Sequence, residues 1–171
     1  MIVNVIRPNV VEYRLRAETS DPDYQKCLWA HILINHDTYT ISAQSDCGNY
    51  SYSWPVTEKE SFLDVLLRAL KDEEYLLGKF SKRTKFSLSE TKRLFFELND
   101  ADDMDDPAIK AVQDIDARTE EDWIYQMREM HLDDAPWDYI VREYPAQAHT
   151  FVKLLTHVIL PLLKEEKERG A

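Results

Sequence analysis

Polar and apolar residues alternate over the first third of the chain, and this alternation predicts β-strands. In residues 11–17, Val11, Tyr13 and Leu15 alternate with charged neighbours, as in a strand with one buried face. Three further strands are predicted over residues 28–34, 39–45 and 50–54. The first 54 residues therefore indicate an antiparallel sheet of about four strands.

The two central strands form a predicted hairpin with two obvious registers. In the favoured register, Ile32 faces Ile41 and Ala30 faces Ala43, so apolar side chains share one side of the sheet. A slip of one residue would mix polar and apolar side chains on both faces. The favoured register makes residues 35–38 a four-residue turn, for which Asn and Asp are well suited.

The same register places Cys27 and Cys47 on opposite faces of the sheet. A disulfide between them is therefore disfavoured, as expected in a reducing compartment. The N-terminus lacks the basic and apolar regions of a signal peptide, and the longest apolar stretch is too short to span a membrane. We expect a cytoplasmic protein without a membrane partner.

From residue 57 onward, the spacing of apolar residues becomes helical. Helix starts are predicted at the capping boxes 57–60 and 87–90, at Pro107, at Thr119 and at about Ala146. We expect Pro161 to kink or end the last helix. The apolar face of that helix is predicted to contain Phe151, Leu154, Leu155, Val158, Ile159 and Leu162.

Strands followed by helices predict an α+β fold, in which C-terminal helices pack on one face of an N-terminal antiparallel sheet. At 171 residues, the chain is expected to form a single domain. Residues 1–86 are predicted to supply the sheet and the first helix, and residues 87–171 an acidic helical half.

Negative charge is concentrated in this helical half. Residues 97–138 contain 15 acidic and three basic residues, whereas the whole chain has a net charge of −11. Such a concentration indicates solubility, a basic partner, a bound cation or imitation of a polyanion. Direct binding of nucleic acid is disfavoured, because phosphate recognition needs clustered Lys and Arg.

The acidic tract 100–106 does not match a calcium-binding loop of the helix-loop-helix type. Counting from Asp100, the position of the required glutamate is Ala111. Counting from Asp102, the glycine and glutamate positions hold Pro107 and Gln113. The five histidines show no metal-ligand spacing either. We therefore expect no metal and no cofactor.

No catalytic motif is visible in the chain. It contains no phosphate-binding glycine loop and no nucleophile elbow, and its three glycines argue against such loops. Carboxylates are numerous enough for any pair to be proposed as acid and base, so their abundance identifies no site. An enzyme is therefore less favoured than a binding protein.

Five aromatic residues in or beside the acidic stretch have two interpretations. They pack the cores of short helices, or they anchor an interface in which aromatic side chains beside acid grip a basic partner. These residues are Trp123, Tyr125, Trp137, Tyr139 and Tyr144.

Residues 45–54 (SDCGNYSYSW), followed by Phe62, Leu63 and the segment 75–80 (YLLGKF), resemble a recurrent pattern in small, mostly uncharacterised proteins of bacteriophages and prophages. The resemblance covers residues 38–86 and implies no catalytic residues.

The residues of this pattern also have physical roles. Gly48 is suited to a positive φ at a strand bend, and Gly78 to a helix C-cap. We expect Tyr50, Tyr52 and Trp54 to cover the helix predicted over 58–71.

The resemblance implies a phage accessory protein in the host cytoplasm that acts by binding and blocking. On this hypothesis, residues 97–138 form an acidic surface that imitates DNA and inhibits a nucleic-acid-binding host complex, of the anti-restriction or anti-CRISPR type. Its partner would be a protein with a basic surface. The candidate partner-binding residues are Asp100, Asp102, Asp103, Asp105, Asp106, Asp114, Asp116, Glu120, Glu121, Asp122, Asp133 and Asp134.

Two other functions remain open. One is a hydrolase that uses carboxylates of the acidic helices, which would require a pocket holding at least two of them. The other is a structural module whose acid only keeps it soluble. The sequence leaves the oligomeric state open.

Overall fold

The computed structural model describes residues 7–21, 26–99 and 107–170. The predicted site residues between 100 and 106 lie outside the described residues. The chain divides into two compact units. We call residues 1–82 and 144–171 the sheet unit, and residues 83–143 the helical unit.

The sheet unit contains four antiparallel strands, which are β1 (Val10–Arg16), β2 (Trp29–Asn35), β3 (Thr40–Ser45) and β4 (Gly48–Ser53). They lie in the order β1-β2-β3-β4, so each strand pairs with its neighbour in sequence. In chain order, the helices are α1 (Phe62–Ala69), α2 (Glu73–Phe80), α3 (Leu88–Leu98), α4 (Pro107–Asp114), α5 (Glu120–Glu129), α6 (Ala146–Leu154) and α7 (Leu160–Gly170). The predicted α+β fold is confirmed.

The register of the β2–β3 hairpin differs from the prediction by two residues. Ile32 lies opposite Ala43, and Ile34 opposite Ile41. A shift of two residues keeps every side chain on its face. The predicted buried face is therefore correct, because Ala30, Ile32, Ile34, Ile41 and Ala43 are all buried.

The hairpin turn consists of residues 36–39 rather than 35–38, because Asn35 is the last paired residue of β2. The Oδ1 atom of Asn35 accepts hydrogen bonds from the backbone N–H groups of Asp37 (2.9 Å) and Thr38 (3.2 Å). Tyr39 then takes a positive φ of 54° before β3 begins. The side-chain bonds of Asn35 thus fix where the turn begins.

Helices α1, α2, α6 and α7 belong to the sheet unit and share its core. Tyr50 stacks on Phe151 of α6, with 4.1 Å between ring centroids, and also contacts Phe80 of α2. Trp54 lies 6.3 Å from Phe62 of α1. The strand aromatics therefore cover α2 and α6 as well as α1, more broadly than predicted.

Two helix boundaries in the sheet unit differ from the prediction. The N-cap of α1 is Ser61, whose Oγ accepts a hydrogen bond from the N–H of Asp64 at 3.1 Å. The helix therefore begins after the predicted capping box at 57–60. Gly78 lies inside α2 and is not its C-cap, which is Ser81. Gly48 does have the predicted positive φ, at 130°.

The C-terminal helix continues through Pro161 instead of ending there. A π-helical turn, Leu155–Ile159, joins α6 to α7 just before the proline. Such a turn adds a residue to the helix. It lets the helix continue although proline has no N–H to donate to the preceding turn. It also shifts the apolar face, since Val158 is exposed. The buried residues of this helix are Ala148, Phe151, Val152, Leu155, Ile159, Leu160 and Leu163.

The helical unit has its own core. Short strands β5 (Lys85–Phe86) and β6 (Arg142–Glu143) pair at its ends, and α3, α4 and α5 lie between them in sequence. Trp123 is fully buried, and its indole N–H donates to the backbone oxygen of Pro136 at 2.9 Å. The buried cluster contains Phe95, Val112, Ile115, Ala117, Trp123 and Met127.

Within the described ranges, no helix has the length and apolar character needed to cross a membrane.

Candidate functional site

Helix α5 places the acidic residues of the helical unit most clearly. Its N-cap is Thr119, as predicted, and the Thr119 Oγ1 accepts a hydrogen bond from the N–H of Asp122 at 3.1 Å. Glu121 and Asp122 occupy the first turn, where the helix dipole stabilises negative charge. On the opposite side, buried Trp123 and Met127 anchor the helix to the core.

The outward side of α5 combines acid with an exposed aromatic ring. Tyr125 is 64% exposed. Glu121, Asp122 and Glu129 lie four residues before, three before and four after Tyr125, so the four side chains share one side of the helix. We call these four residues the acidic α5 face. Among the described residues, their side chains make no ion pair or hydrogen bond, which leaves them available to a partner.

A second exposed aromatic residue adjoins this face. Trp137, in the 3₁₀ turn Pro136–Tyr139, is 48% exposed. The guanidinium of Arg128 lies 5.1 Å from its ring centroid, a cation–π contact. Arg128 follows Tyr125 by three residues, so helical spacing makes it a neighbour of Tyr125 as well.

Two of the predicted site residues make contacts within the fold. Glu120 accepts two hydrogen bonds from Arg142, both at 2.6 Å. Asp133 accepts hydrogen bonds from the hydroxyl of Tyr139 (2.8 Å) and from the N–H of Ala135 (2.6 Å). These carboxylates hold the end of the helical unit together, and a partner would have to displace those contacts.

The remaining predicted residues fall into two groups. Burial lowers the pKa of Lys92, and the charges of nearby Asp114 and Asp116 oppose that effect. These two aspartates therefore face a local cation. Asp134 is exposed and, like Glu121 and Asp122, has no ion pair among the described residues. Glu129 was missed, although its spacing from Tyr125 could have identified it.

The aromatic residues of the acidic stretch separate accordingly. Trp123 is buried, Tyr139 packs on Phe95 with 4.9 Å between ring centroids, and Tyr144 is half-buried. Packing explains these three. Only the exposed pair, Tyr125 and Trp137, meets the geometric requirement for interface anchors.

The sheet unit contains a cavity of about 500 Å³ beside α6. Arg14, Arg16, Lys153 and His157 line it together with one carboxylate, that of Asp21. Its apolar lining consists of Leu15, Ala17, Cys27, Trp29, Ala30, Leu154 and Val158. The lining is thus basic in a chain that is acidic overall. Sequence patterns did not indicate this cavity, because its basic residues come from distant segments.

Cys27, which lines this cavity, contradicts the predicted separation of the two cysteines. Its Sγ lies 2.8 Å from that of Cys47, and both are buried free thiols. Strand alternation did not apply to them, since Cys27 precedes β2 and Cys47 lies in the β3–β4 turn. Burial is the main cause of the raised pKa of Cys27, with contributions from Cys47 and Asp46.

The described residues contain no cluster of three or more His, Cys, Asp or Glu side chains placed to hold a metal ion. The cavity beside α6 includes a single carboxylate, so it does not supply the carboxylate pair that the hydrolase alternative requires.

A family model, Phage_phiTE_072, described as a phage family, matches residues 4–165. The chain belongs to this phage family. The match includes most of both units and extends well beyond residues 38–86, on which the sequence resemblance rests. It supports a phage-type protein but does not test the sequence pattern of that segment. Neither a curated protein nor a solved structure matches the chain.

Proposed function

We propose that this phage protein is a non-enzymatic binding protein whose acidic α5 face engages a basic surface on a host protein. The observation that carries the proposal is the exposed ring of Tyr125, flanked at helical spacing by three outward carboxylates. Tyrosine supplies a large contact area with little conformational entropy to lose, and acid beside it selects a basic partner.

The rigidity of the face supports this function. Capping by Thr119 and burial of Trp123 and Met127 hold α5 in place, so the backbone positions that carry its carboxylates are set before a partner arrives. A preorganised surface loses less entropy on binding than a flexible acidic chain. Fixed charge also steers a basic partner towards the face and raises its association rate.

We further propose that the partner is a nucleic-acid-binding host complex, and that the acid imitates the phosphate backbone. Along α5, Glu121 and Glu129 are about 12 Å apart at 1.5 Å per residue. Duplex DNA carries about seven charges over that length, at one charge per 1.7 Å. Three carboxylates supply fewer than half of these charges. DNA mimicry therefore requires other acidic residues of the segment 97–138 to join the face.

The test compares two variants that lose the same charge. One carries Glu121→Gln, Asp122→Asn and Glu129→Gln, and the matched control carries Glu18→Gln, Glu58→Gln and Glu168→Gln at exposed sites of the sheet unit. Each protein is immobilised, exposed to host lysate, and then washed with duplex DNA. Circular dichroism checks that both variants are folded.

We expect the wild type and the control to capture a partner that duplex DNA displaces. The α5 variant should bind about tenfold more weakly, because exposed charge pairs contribute about 0.2–1 kcal/mol each. Equal capture by the α5 variant would refute the role of this face, as expected of a module whose acid serves only solubility. If the α5 variant loses capture but duplex DNA does not displace the partner from the wild type, the binding function stands and DNA mimicry is refuted.

A further inference from the structure

The two cysteines of the sheet unit are placed for bond formation. Their Sγ atoms are 2.8 Å apart, less than 1 Å beyond the S–S bond length of about 2.05 Å. The surrounding backbone holds them there. The carboxylate of Asp46 accepts a hydrogen bond from the N–H of Leu28 at 2.8 Å, which joins the β3–β4 turn to the start of β2. Closing a disulfide therefore needs little movement of the chain.

The two cysteines differ in their position relative to the cavity. Cys27 lines the cavity of about 500 Å³ beside α6, whereas Cys47 is 2% exposed and is not part of that lining. Arg16 and Lys153 lie at the same cavity and make no ion pair among the described residues, while Asp21 opposes them with one negative charge. Arg14 is already paired with Glu12 at 2.8 Å. The cavity therefore favours an anionic molecule.

We propose that Cys27 and Cys47 form an oxidisable dithiol, and that an anionic low-molecular-weight disulfide of the glutathione type reaches it through this cavity. The thiolate of Cys27 attacks one sulfur of the small disulfide, whose S–S bond breaks and releases one thiol. The thiolate of Cys47 then attacks the Sγ of Cys27 in the mixed disulfide and releases the second thiol. The protein loses two electrons and two protons, and one disulfide is reduced to two thiols.

The environment of Cys27 makes this exchange selective rather than fast. Burial, the neighbouring thiol of Cys47 and the carboxylate of Asp46 all raise the pKa of Cys27. Since the thiolate is the attacking species, exchange is slow for a passing molecule. A disulfide that the cavity retains remains beside the sulfur long enough to react.

The first experiment uses the native wild-type protein with glutathione disulfide, and with neutral 2-hydroxyethyl disulfide for comparison. Free thiols are counted by alkylation, and the product is digested with chymotrypsin. This protease is chosen because it cuts after Tyr39, whereas no Lys or Arg lies between the two cysteines. We expect both thiols to disappear and a pair of linked peptides that separates on reduction. Persistent free thiols, or a disulfide between two molecules, would overturn the proposal.

The second experiment tests the route through the cavity. The variant with both Arg16→Gln and Lys153→Gln should react severalfold more slowly than the wild type with glutathione disulfide. Its rate with the neutral disulfide should be unchanged. A matched control, Lys59→Gln with Lys164→Gln, removes two exposed lysines that do not line the cavity and should behave as the wild type. Equal rates for the cavity variant and the control with glutathione disulfide would refute the proposed entry route.

The third experiment tests the order of the two cysteines. Serine is a suitable replacement, because Trp29 O lies 3.5 Å from the Cys27 Sγ and the Ser45 Oγ lies 3.2 Å from the Cys47 Sγ. Cys47→Ser should accumulate the mixed disulfide at Cys27, whereas Cys27→Ser should leave Cys47 unreacted. The reverse pattern would overturn the assignment of Cys27 as the attacking thiol.

Discussion

Substitution of the buried aromatic residue of α5 should lower stability, whereas substitution of the exposed one should leave stability almost unchanged. Trp123→Phe removes the indole N–H that donates to the backbone oxygen of Pro136 at 2.9 Å, within a fully buried site. A buried carbonyl left without its donor costs about 1–3 kcal/mol, and the smaller ring adds a cost for the space it leaves. We therefore expect the free energy of unfolding to fall by about 2–4 kcal/mol.

Tyr125→Ala is the matched substitution on the other side of the same helix. Tyr125 is 64% exposed, and its hydroxyl makes no hydrogen bond among the described residues. Surface changes of this kind usually alter stability by no more than about 0.5 kcal/mol. The variant should therefore be folded like the wild type but capture less of the proposed partner.

The assay is urea denaturation followed by far-ultraviolet circular dichroism, with hydrogen exchange to locate the change. In Trp123→Phe, faster exchange should be concentrated at the amides of residues 83–143, the helical unit. A loss below about 1 kcal/mol would show that the indole bond does not support this core. Destabilisation of Tyr125→Ala by more than about 1 kcal/mol would show that its ring belongs to the packing.

Four further predictions concern the sheet unit. Gly48→Ala should destabilise by about 1–3 kcal/mol, because φ is 130° and a Cβ would lie 2.7 Å from the Tyr50 hydroxyl. Gly78→Ala, inside α2, should stabilise by about 0.5–1 kcal/mol, as urea denaturation would show. Burial raises the pKa of Tyr50 from 10.0 to about 12. The neutral Tyr50 therefore contributes fully to stability below pH 10, and this contribution is lost as the pH rises from 10 to about 12. Tyr50→Phe should therefore lose less stability than the wild type across that pH range. The proposed disulfide should raise the unfolding free energy of the oxidised protein by about 3 kcal/mol over the reduced form.

Each of these predictions has a clear contrary result. Equal stability of the two glycine variants would show that the conformation at Gly48 is not strained for alanine. Identical alkaline unfolding of Tyr50→Phe and the wild type would remove Tyr50 as a titrating contributor. If oxidation left the thermal unfolding midpoint unchanged, the disulfide would either strain the native fold or join two residues that stay close together in the unfolded chain.

Alternation of apolar residues was sufficient to predict the sheet and its buried face, but not its register. Ile32 and Ile41 share a face because side chains alternate along each strand. A shift of the pairing by two residues leaves both on that face. The actual register depends on Asn35, whose side chain accepts hydrogen bonds from two turn amides, and on the positive φ of Tyr39. Neither feature follows from hydrophobic spacing.

Some helix starts were predictable from capping residues and others were not. Ser87 and Thr119 are the N-caps of α3 and α5, as predicted. Thr57 and Ser61 are four residues apart, and the structure uses Ser61. The π-helical turn before Pro161 was not predicted, because its extra residue changes the spacing on which a helical prediction rests.

The candidate sites were harder to predict, since they depend on contacts between distant residues. Cys27 and Cys47 lie outside the strands, where alternation gives no information about facing. The basic cavity combines Arg14 and Arg16 of β1 with Lys153 of α6. These residues form no cluster in the sequence, so charge patterning did not reveal them.

The fold divides the acid of the helical unit by role, which a count of charges does not do. Glu120 and Asp133 are committed to Arg142 and Tyr139, so neutralising them should weaken the fold before it affects any partner. Glu121 and Glu129 make no such contact among the described residues. Buried side chains on the opposite side of α5 hold the helix that carries them. A carboxylate bound internally has its charge partly satisfied, whereas an outward carboxylate on a rigid helix retains its attraction for a basic surface. A binding function for this chain should therefore be sought in the outward subset, and above all around Tyr125.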